Sequence, residues 1–323
     1  MKYILLTCDT EVGELHADRL DAFEVFIEGK VQNQEVGVKL INSIAREYGA
    51  IVEHFVDVYP YERYGEEKFK SLCNNIINSG HKIGLHTHPS GKYDPKRKYM
   101  WEYSLDEQKE IIKFGKEKIK EWTGIDVKSH RAGGYGADNN TLRALKEDNI
   151  LIDSSFFYMN EKCKINYNFL NKPSLINEVF EIPVSVYKLE KSVKILNLKN
   201  ISYQKLDFRY GSNVKEILKC IDVLNDNSVV VLFLHSFNFL NLLYDCKENC
   251  YKKITINNNL IEEYDNLLKE IRKRNDCLFI HSEDLLFKEL CNLDIVPEIK
   301  RNVNIFNVIK QKISNKFKNR NFI

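Results

Sequence analysis

The chain has 323 residues, of which 43% are hydrophobic and 29% are charged, a composition typical of one large or two small globular domains. Its formal net charge of +2 gives no bulk electrostatic case for a nucleic acid partner. The apolar run Met1–Cys8 is too short for a signal peptide or a membrane span, so a cytoplasmic location is expected.

Short strand-like runs alternate with helical stripes along the chain. The predicted strands are, in order, Tyr3–Cys8, Ile51–Val58, Lys82–His86, Val127–Arg131, Ile150–Asp153, Glu178–Val186, Ser228–His235 and Cys277–His281. Apolar residues at helical spacing predict helices within Leu40–Tyr48, Phe69–Ile77, Ile111–Trp122, Val214–Leu224 and Leu260–Ile271. Strands that alternate with helices predict a mostly parallel sheet, either open or closed into a barrel.

Three stretches carry neither pattern and are predicted to be long loops or insertions, namely Thr10–Gln34, Lys162–Asn177 and Phe237–Thr255. No linker rich in proline, glycine or serine divides the chain. We therefore expect a single catalytic-size domain over residues 1–295.

Residues 296–323 form a tail of different composition. From Arg301 onward it carries lysine and arginine but no acidic residue, and an apolar side chain recurs every four residues from Ile305 to Phe317. This pattern predicts a basic amphipathic helix that contacts a membrane surface or a partner groove, which would place the protein at the inner membrane surface. A solvated helix packed on the domain is the alternative.

Ionisable side chains collect at the carboxyl ends of the predicted strands. In chain order they are Asp9 and Glu11, Asp57, His86 and His88, Arg131, Asp153 and His235. In parallel α/β folds these strand ends share one face, and catalytic groups gather there. The sequence therefore predicts an active site on this face.

His86 and His88 are two residues apart at the end of a predicted strand, so both imidazoles project to one side. Two imidazoles with a carboxylate from Asp9 or Glu11 form a catalytic arrangement for zinc or a similar divalent ion. Such an ion acidifies water and polarises a carbonyl. The other carboxylate can accept the proton of that water, and His235 can donate one to a leaving group.

As an ordered set, these residues resemble the motifs of the polysaccharide deacetylase (NodB-homology) family. The matching segments are Thr7-Cys8-Asp9-Thr10-Glu11, His86-Thr87-His88-Pro89, Arg131-Ala132-Gly133-Gly134-Tyr135, Asp153-Ser154-Ser155 and Leu234-His235. The resemblance covers roughly residues 1–240, and it implies a deformed (β/α) barrel related to the TIM barrel. It is to a branch with Asp-x-Glu and His-x-His-Pro motifs.

The resemblance also implies roles for the first two motifs. Thr10 stands where the family usually has a second aspartate, so Glu11 would be the acidic metal ligand and Asp9 the catalytic base. The family usually spaces its histidines four apart, whereas His86 and His88 are two apart, as in the His-x-His-Pro branch. The ligand types for one divalent metal ion, with zinc expected, are kept.

The remaining motifs imply the rest of the machinery. Arg131 would hold the base ionised, because a cation beside a carboxylate lowers its pKa. A backbone N–H of Gly134 or Tyr135 would stabilise the oxyanion of the tetrahedral intermediate. Asp153 would orient and charge-stabilise His235, the catalytic acid.

The implied activity is hydrolysis of a C–N amide bond, most simply N-deacetylation of an N-acylated sugar or a glycoconjugate precursor. One alternative is a metallophosphoesterase of the polymerase-and-histidinol-phosphatase type, in which the His-x-His pair ends the first strand. Here the pair ends the third strand. The other alternative is a non-catalytic carbohydrate-binding protein that keeps the barrel with a degraded site.

Overall fold

A computed structural model of the chain describes residues 1–13, 19–193, 198–207, 209, 212–245 and 250–302. The strands of this part are β1 (Lys2–Thr10), β2 (Lys30–Val31), β3 (Gln34–Glu35), β4 (Val52–Asp57), β5 (Lys82–Thr87), β6 (Ser129–Ala132), β7 (Ile152–Asp153), β8 (Ser174–Ile176), β9 (Val179–Glu181), β10 (Val186–Val193), β11 (Leu198–Lys205), β12 (Val229–His235), β13 (Leu240–Asp245), β14 (Cys250–Ile256), β15 (Cys277–Phe279) and β16 (Glu298–Asn302). The α-helices are α1 (Val38–Glu47), α2 (Tyr61–Tyr64), α3 (Glu66–Asn78), α4 (Leu105–Thr123), α5 (Asn139–Glu147), α6 (Val214–Asp222), α7 (Asn258–Arg272) and α8 (Ser282–Leu285).

The main sheet has nine strands in the order β12-β1-β4-β5-β6-β7-β9-β8, with β15 beside the start of β1. Every pair in it is parallel except β8 with β9. Parallel strands need a crossover, and α1, α3, α4 and α5 supply crossovers between successive strands from β1 to β7. This arrangement confirms the predicted mostly parallel α/β sheet.

The sheet curls, and loop backbone bridges the gap between its β9 side and β12. After β9, Val184 donates its N–H to the carbonyl of Phe156 at 2.9 Å. On the other side of the gap, Val231 of β12 donates to Oγ of Ser185 at 2.8 Å, and Phe233 donates to the carbonyl of Leu206 at 3.2 Å. The barrel is therefore deformed, since irregular segments complete the circle in place of a strand ladder.

Alternation along the strands sends neighbouring side chains into different cores of the described part of the chain. In β1, Ile4 and Leu6 belong to the large core that includes the helices, whereas Tyr3 and Leu5 belong to a smaller core on the opposite, concave face. Ile152 of β7 also lies in the smaller core. Because side chains alternate between the faces of a strand, these residues tell which way each neighbouring polar residue points.

The buried carboxylate of Glu53 connects distant segments of the chain through hydrogen bonds. Glu53 of β4 accepts hydrogen bonds from Oγ of Ser129 in β6 at 2.5 Å and from the backbone N–H and Oγ of Ser282 at 3.0 and 2.6 Å. All three residues are buried. We call this group the Glu53 clamp, because it joins three distant parts of the chain.

The longest helix, α4, begins and ends at local signals in the sequence. Ser104 and Glu107 form a capping box, in which Oγ of Ser104 accepts from the N–H of Glu107 and the Glu107 carboxylate accepts from the N–H of Ser104. Gly124 ends the helix with φ of +75°, a conformation that glycine adopts without steric cost. Ile111, Ile112 and Ile119 of α4 are buried in the large core.

The predicted loops contain more structure than expected. Phe237–Thr255 holds the antiparallel hairpin β13–β14, and Lys162–Asn177 holds β8. Thr10–Gln34 holds a short π-helix, Phe23–Ile27, and β2. The predicted strand Glu178–Val186 divides into β9 and the start of β10, because the segment between them leaves the ladder to bridge the gap.

At the start of the tail, Glu298–Asn302 form the strand β16, which pairs in parallel with β10. Residues 303–323, which carry the predicted amphipathic helix, lie outside the described residues. In the described ranges, no helix combines the length and apolarity that a membrane crossing needs.

Candidate active site

The end of β1 sends two carboxylates into the concave side of the barrel. Asp9 continues the face of Tyr3 and Leu5, and Glu11 follows it two residues later. Thr10 points the other way, where its Oγ1 lies 2.8 Å from Nδ1 of the buried His54. Thr10 therefore belongs to the packing of the outer layer, whereas Asp9 and Glu11 belong to the site.

Glu11 meets both histidines at the end of β5. Its Oε2 lies 2.5 Å from Nε2 of His88 and 3.2 Å from Nε2 of His86. The two imidazole centroids are 4.9 Å apart. Glu11 and His86 are buried, and the side chain of His88 is 14% exposed. The structure thus brings the three predicted metal ligands together at the carboxyl ends of β1 and β5.

The donor chemistry of this cluster fits a divalent metal ion. One ligand atom from each of Glu11, His86 and His88 lies within 4.8 Å of the other two, as chelation of one ion requires. Nδ1 of His86 lies 2.8 Å from the carbonyl of Arg131, which can only accept, so Nδ1 carries the proton and Nε2 keeps its lone pair for a metal. Two nitrogens and one carboxylate oxygen form a donor set typical of catalytic zinc.

The pKa values of two acids at the cluster are shifted in opposite directions. Burial disfavours the ionised form of Glu11, but the imidazoles of His88 and His86 outweigh it and hold the pKa of Glu11 well below its usual value. Asp57, which ends β4 in register with His86, has its pKa raised from 3.8 to about 6, chiefly by burial. Asp57 is thus a further carboxyl group at the cluster, with its Oδ1 accepting from the N–H of Tyr59.

Arg131 fixes Asp9. Its Nη1 donates to Oδ1 of Asp9 at 2.8 Å, and its other hydrogen bonds go to Thr7 Oγ1 and to the carbonyl and Oγ of Ser154. The second oxygen of Asp9, Oδ2, lies 3.9 Å from Nε2 of His86. One carboxylate oxygen of Asp9 is therefore held by a cation, and the other faces the ligand cluster.

The glycines after β6 allow a close approach to His88. A Cβ atom at Gly133 would lie 2.5 Å from Nε2 of His88, so only glycine leaves room for the imidazole. In the described part of the chain, the backbone N–H groups of Gly134 and Tyr135 have no hydrogen-bond acceptor. Both remain available to an oxyanion, and the choice between them stays open.

His235 ends β12 in register with Asp9. Its Nε2 lies 3.8 Å from Oε1 of Glu11, and its ring lies between those of Phe233 and Phe237. Burial lowers the pKa of His235 to about 4. Among the described residues, its buried Nδ1 has no hydrogen-bond partner.

The predicted support of His235 by Asp153 is wrong. Oδ1 of Asp153 lies 2.6 Å from Nδ1 of His130 and also accepts from Oγ of Ser155. Because Ile152 faces the concave core, Asp153 must face the outer layer, away from the site. It stabilises the strand ends that carry Arg131 and His86, since Nε2 of His130 in turn meets Thr87.

Lys205 and Asp207 also lie at the site and were not predicted. Asp57 was expected on the catalytic face, among the ionisable side chains at the strand ends, but no role was assigned to it. Lys205 ends β11 and Asp207 follows it, with Nζ of Lys205 lying 3.3 Å from Oδ2 of Asp207 and 3.3 Å from the hydroxyl of Tyr135. The sequence around Lys205 and Asp207 is polar and carries no pattern that would predict a role for them.

The chain matches no protein-family model and none of the curated proteins. Among solved structures it is similar to a candidate polysaccharide deacetylase from Mycobacterium smegmatis, with 16% identity and a TM-score of 0.56 over 92% of this chain and 95% of that chain. This likeness confirms the predicted NodB-like deformed barrel. At 16% identity this likeness shows the fold alone.

Two further structures align less closely. A family 4 carbohydrate esterase from Streptomyces lividans has 12% identity and a TM-score of 0.41, over 84% of this chain and 89% of that chain. A peptidoglycan deacetylase from Bacillus subtilis has 12% identity and a TM-score of 0.42, over 99% and 96%. At these TM-scores neither adds weight to the fold assignment.

Proposed function

We propose that the chain is a divalent-metal-dependent hydrolase that removes the acyl group from an N-acylated sugar or glycoconjugate precursor, with zinc as the metal. The observation that carries the proposal is the convergence of Glu11, His86 and His88 beside the Asp9–Arg131 ion pair. The fold shared with a candidate polysaccharide deacetylase favours a carbohydrate amide over other amides.

In this proposal, a divalent ion held by Glu11, His86 and His88 supplies Lewis-acid polarisation of the amide carbonyl and acidification of water. Asp9 accepts the proton of the attacking water through Oδ2, since Oδ1 is held by Arg131. The free N–H groups of Gly134 or Tyr135 donate to the oxyanion of the tetrahedral intermediate.

The departing amine needs a proton, and His235 is the group that faces the cluster from β12. Because burial lowers its pKa to about 4, His235 is neutral at pH 7 in the free protein. We infer that it acts as a relay, receiving the proton that Asp9 removes from water and passing it to the amine nitrogen. This keeps the number of protons at the site constant through the reaction.

The test combines metal analysis with an activity assay. We expect about one equivalent of bound zinc per chain, and release of acetate from N-acetylglucosamine or its oligomers that a chelator abolishes and added zinc restores. Metal binding without release of acetate would favour the non-catalytic carbohydrate-binding protein. Hydrolysis of p-nitrophenyl phosphate in place of the amide would favour the metallophosphoesterase.

We also propose, from its sequence pattern alone, that the basic segment 303–323 contacts an anionic membrane surface. The measurement is co-sedimentation of the full chain with vesicles containing phosphatidylglycerol, compared with vesicles of phosphatidylcholine alone. Equal binding to both would remove this proposal and leave a helix that packs on the domain or on a protein partner.

A further inference from the structure

Two aromatic rings and two lysines lie against the glycine loop after β6. Tyr99 and Trp101 stack with their ring centroids 5.6 Å apart and their planes 20° apart. Nζ of Lys162 lies 5.3 Å from the centroid of the Tyr99 ring, and Nζ of Lys164 lies 5.7 Å from a ring centroid of Trp101. Both lysines are exposed, and both rings are half-buried. We call these four residues the lysine–aromatic cluster.

The cluster adjoins the candidate metal site through two consecutive glycines. A Cβ atom at Gly133 would overlap with the ring of His88, whereas one at Gly134 would lie 3.2 Å from Cε1 of Tyr99 and 3.8 Å from Cδ of Lys162. Consecutive Cα atoms are ~3.8 Å apart. The ring of His88 and the side chain of Lys162 thus flank neighbouring residues of one loop, which places the cluster beside the candidate metal site.

The backbone that carries the lysines is fixed to the same loop. Nε1 of Trp101 donates to the carbonyl of Lys162 at 2.9 Å, and the N–H of Lys164 donates to the carbonyl of Ala137 at 2.8 Å. Oδ1 of Asn160 accepts from the N–H of Lys162 at 3.0 Å. With the backbone held in place, only side-chain freedom is lost when the two ammonium groups bind a ligand.

No carboxylate of the described residues forms an ion pair with Lys162 or Lys164. Two acids close to the cluster are engaged elsewhere, because Glu102 accepts from the N–H of Tyr99 and Asp138 caps helix α5. Contact with an aromatic face orients an ammonium group without using its N–H donors. Both lysines therefore keep donors and charge for an external anion.

We propose that the lysine–aromatic cluster is a substrate subsite that binds an anionic group, a phosphate or a carboxylate, carried by the acylated sugar. The proposal rests on the proposed function, in that the amide of the same substrate would lie at Glu11, His86 and His88.

The experiment compares three N-acetyl sugars on the zinc-loaded full chain: neutral N-acetylglucosamine, N-acetylglucosamine 1-phosphate and N-acetylmuramic acid. For each, kcat and KM are measured for the wild type and for the double variant Lys162→Gln/Lys164→Gln. Lys172→Gln is the matched control, because Nζ of Lys172 also lies over an aromatic ring, that of Phe169, in a different part of the fold. Affinities are measured in parallel by calorimetry on Asp9→Asn, with and without the lysine substitutions.

We expect the double variant to lose about ten-fold or more in kcat/KM for an anionic sugar, mainly through KM, as loss of charge-assisted hydrogen bonds predicts. The neutral sugar and the Lys172 variant should change by less than about two-fold. A loss confined to the phosphorylated sugar identifies a phosphate subsite, and one confined to N-acetylmuramic acid identifies a carboxylate subsite. Equal losses for neutral and anionic sugars, or none, would overturn the subsite.

The binding measurement separates failure of the subsite from failure of the function. Lysine-dependent binding of an anionic sugar without turnover of any sugar would support the subsite and contradict the deacetylase function. Turnover that is indifferent to both lysines would support the function and contradict the subsite. Absence of lysine-dependent binding contradicts the subsite in either case.

Discussion

Nη1 of Arg131 donates to Oδ1 of Asp9 at 2.8 Å, in an ion pair that solvent scarcely reaches. Arg131 is fully buried and Asp9 is 5% exposed. Among the described residues, the other hydrogen bonds of this guanidinium go to Thr7 and Ser154, both of which are buried. Asp9 is consequently held in one orientation, with Oδ2 toward the ligand cluster.

Asp9→Asn is expected to lower kcat for deacetylation by about 10²–10⁴-fold, because asparagine keeps the shape but cannot accept the proton of water. Zinc content should stay at the wild-type level, since the three ligands remain. The control is Asp265→Asn, which replaces a carboxylate that only accepts from the hydroxyl of Tyr48. Circular dichroism at the assay temperature checks folding, and turnover of folded Asp9→Asn within two-fold of the wild type would remove the role of base.

His235→Ala is expected to lower kcat by a similar factor of about 10²–10⁴ while leaving zinc affinity nearly unchanged, since His235 relays a proton and is not among the ligands. The matched control is His281→Ala, because His281 follows β15 and its Nε2 contacts Asp284. Steady-state kinetics with N-acetylglucosamine and zinc titration give the two readouts. If His235→Ala lost zinc in place of turnover, His235 would be a ligand.

Gly133→Ala is expected to weaken zinc binding by about 10–100-fold, as displacement of groups that position a metal ligand generally does. The added Cβ would lie 2.5 Å from Nε2 of His88 and would displace the ring from its present position. Gly91→Ala is the control, because its Cβ would meet nothing nearer than 3.6 Å. The zinc affinity of both variants is measured by calorimetric titration. Equal affinities would show that His88 is not a ligand.

His54 predicts a pH dependence of stability that is independent of the active site. Burial lowers its pKa from 6.5 to about 3, so the folded protein keeps it neutral. Between these pH values the unfolded chain binds one proton more than the folded chain. The free energy of unfolding should therefore fall as the pH drops below about 6.5, with His54 contributing up to about 1.4 kcal/mol per pH unit.

The variant His54→Gln removes this titration. It should be less stable than the wild type at pH 7, because the hydrogen bonds of His54 to Thr10 and Asn42 are disturbed. The difference in free energy of unfolding between His54→Gln and the wild type, measured by urea unfolding, should narrow as the pH falls from 6.5 to 4. For Ile41→Val, a core change without a titratable group, the difference from the wild type should stay constant with pH. A constant difference for His54→Gln would contradict the prediction.

Strand alternation made most of the site predictable. Asp9 and Glu11, like His86 and His88, are separated by one residue at the end of a recognisable apolar strand, so their shared face follows from the period of the backbone. Contact between the two pairs then follows because parallel strands bring their carboxyl ends to one side of the sheet. To predict the contacts among these residues, it was enough to identify the strands and their direction correctly.

Asp153 was assigned to the wrong face because its strand gives too little information. The predicted strand Ile150–Asp153 begins with three consecutive apolar residues, from which alternation cannot be read, and the strand that forms, β7, is only two residues long. The register with His130, which decides the partner of Asp153, depends on how β6 and β7 meet in three dimensions. The same limit hid Lys205 and Asp207, which enter the site from a polar hairpin whose strands have no strong apolar face.

The Glu53 clamp has a consequence for where the folding unit ends. A chain shortened at residue 276 would lack Ser282, and Glu53 would keep only Ser129 as a donor while still enclosed by the barrel. A buried carboxylate deprived of donors destabilises its surroundings by several kcal/mol. Strand β15 and helix α8 are thus part of the smallest piece of the chain that folds stably, and a protease that cuts near residue 276 would leave a destabilised barrel.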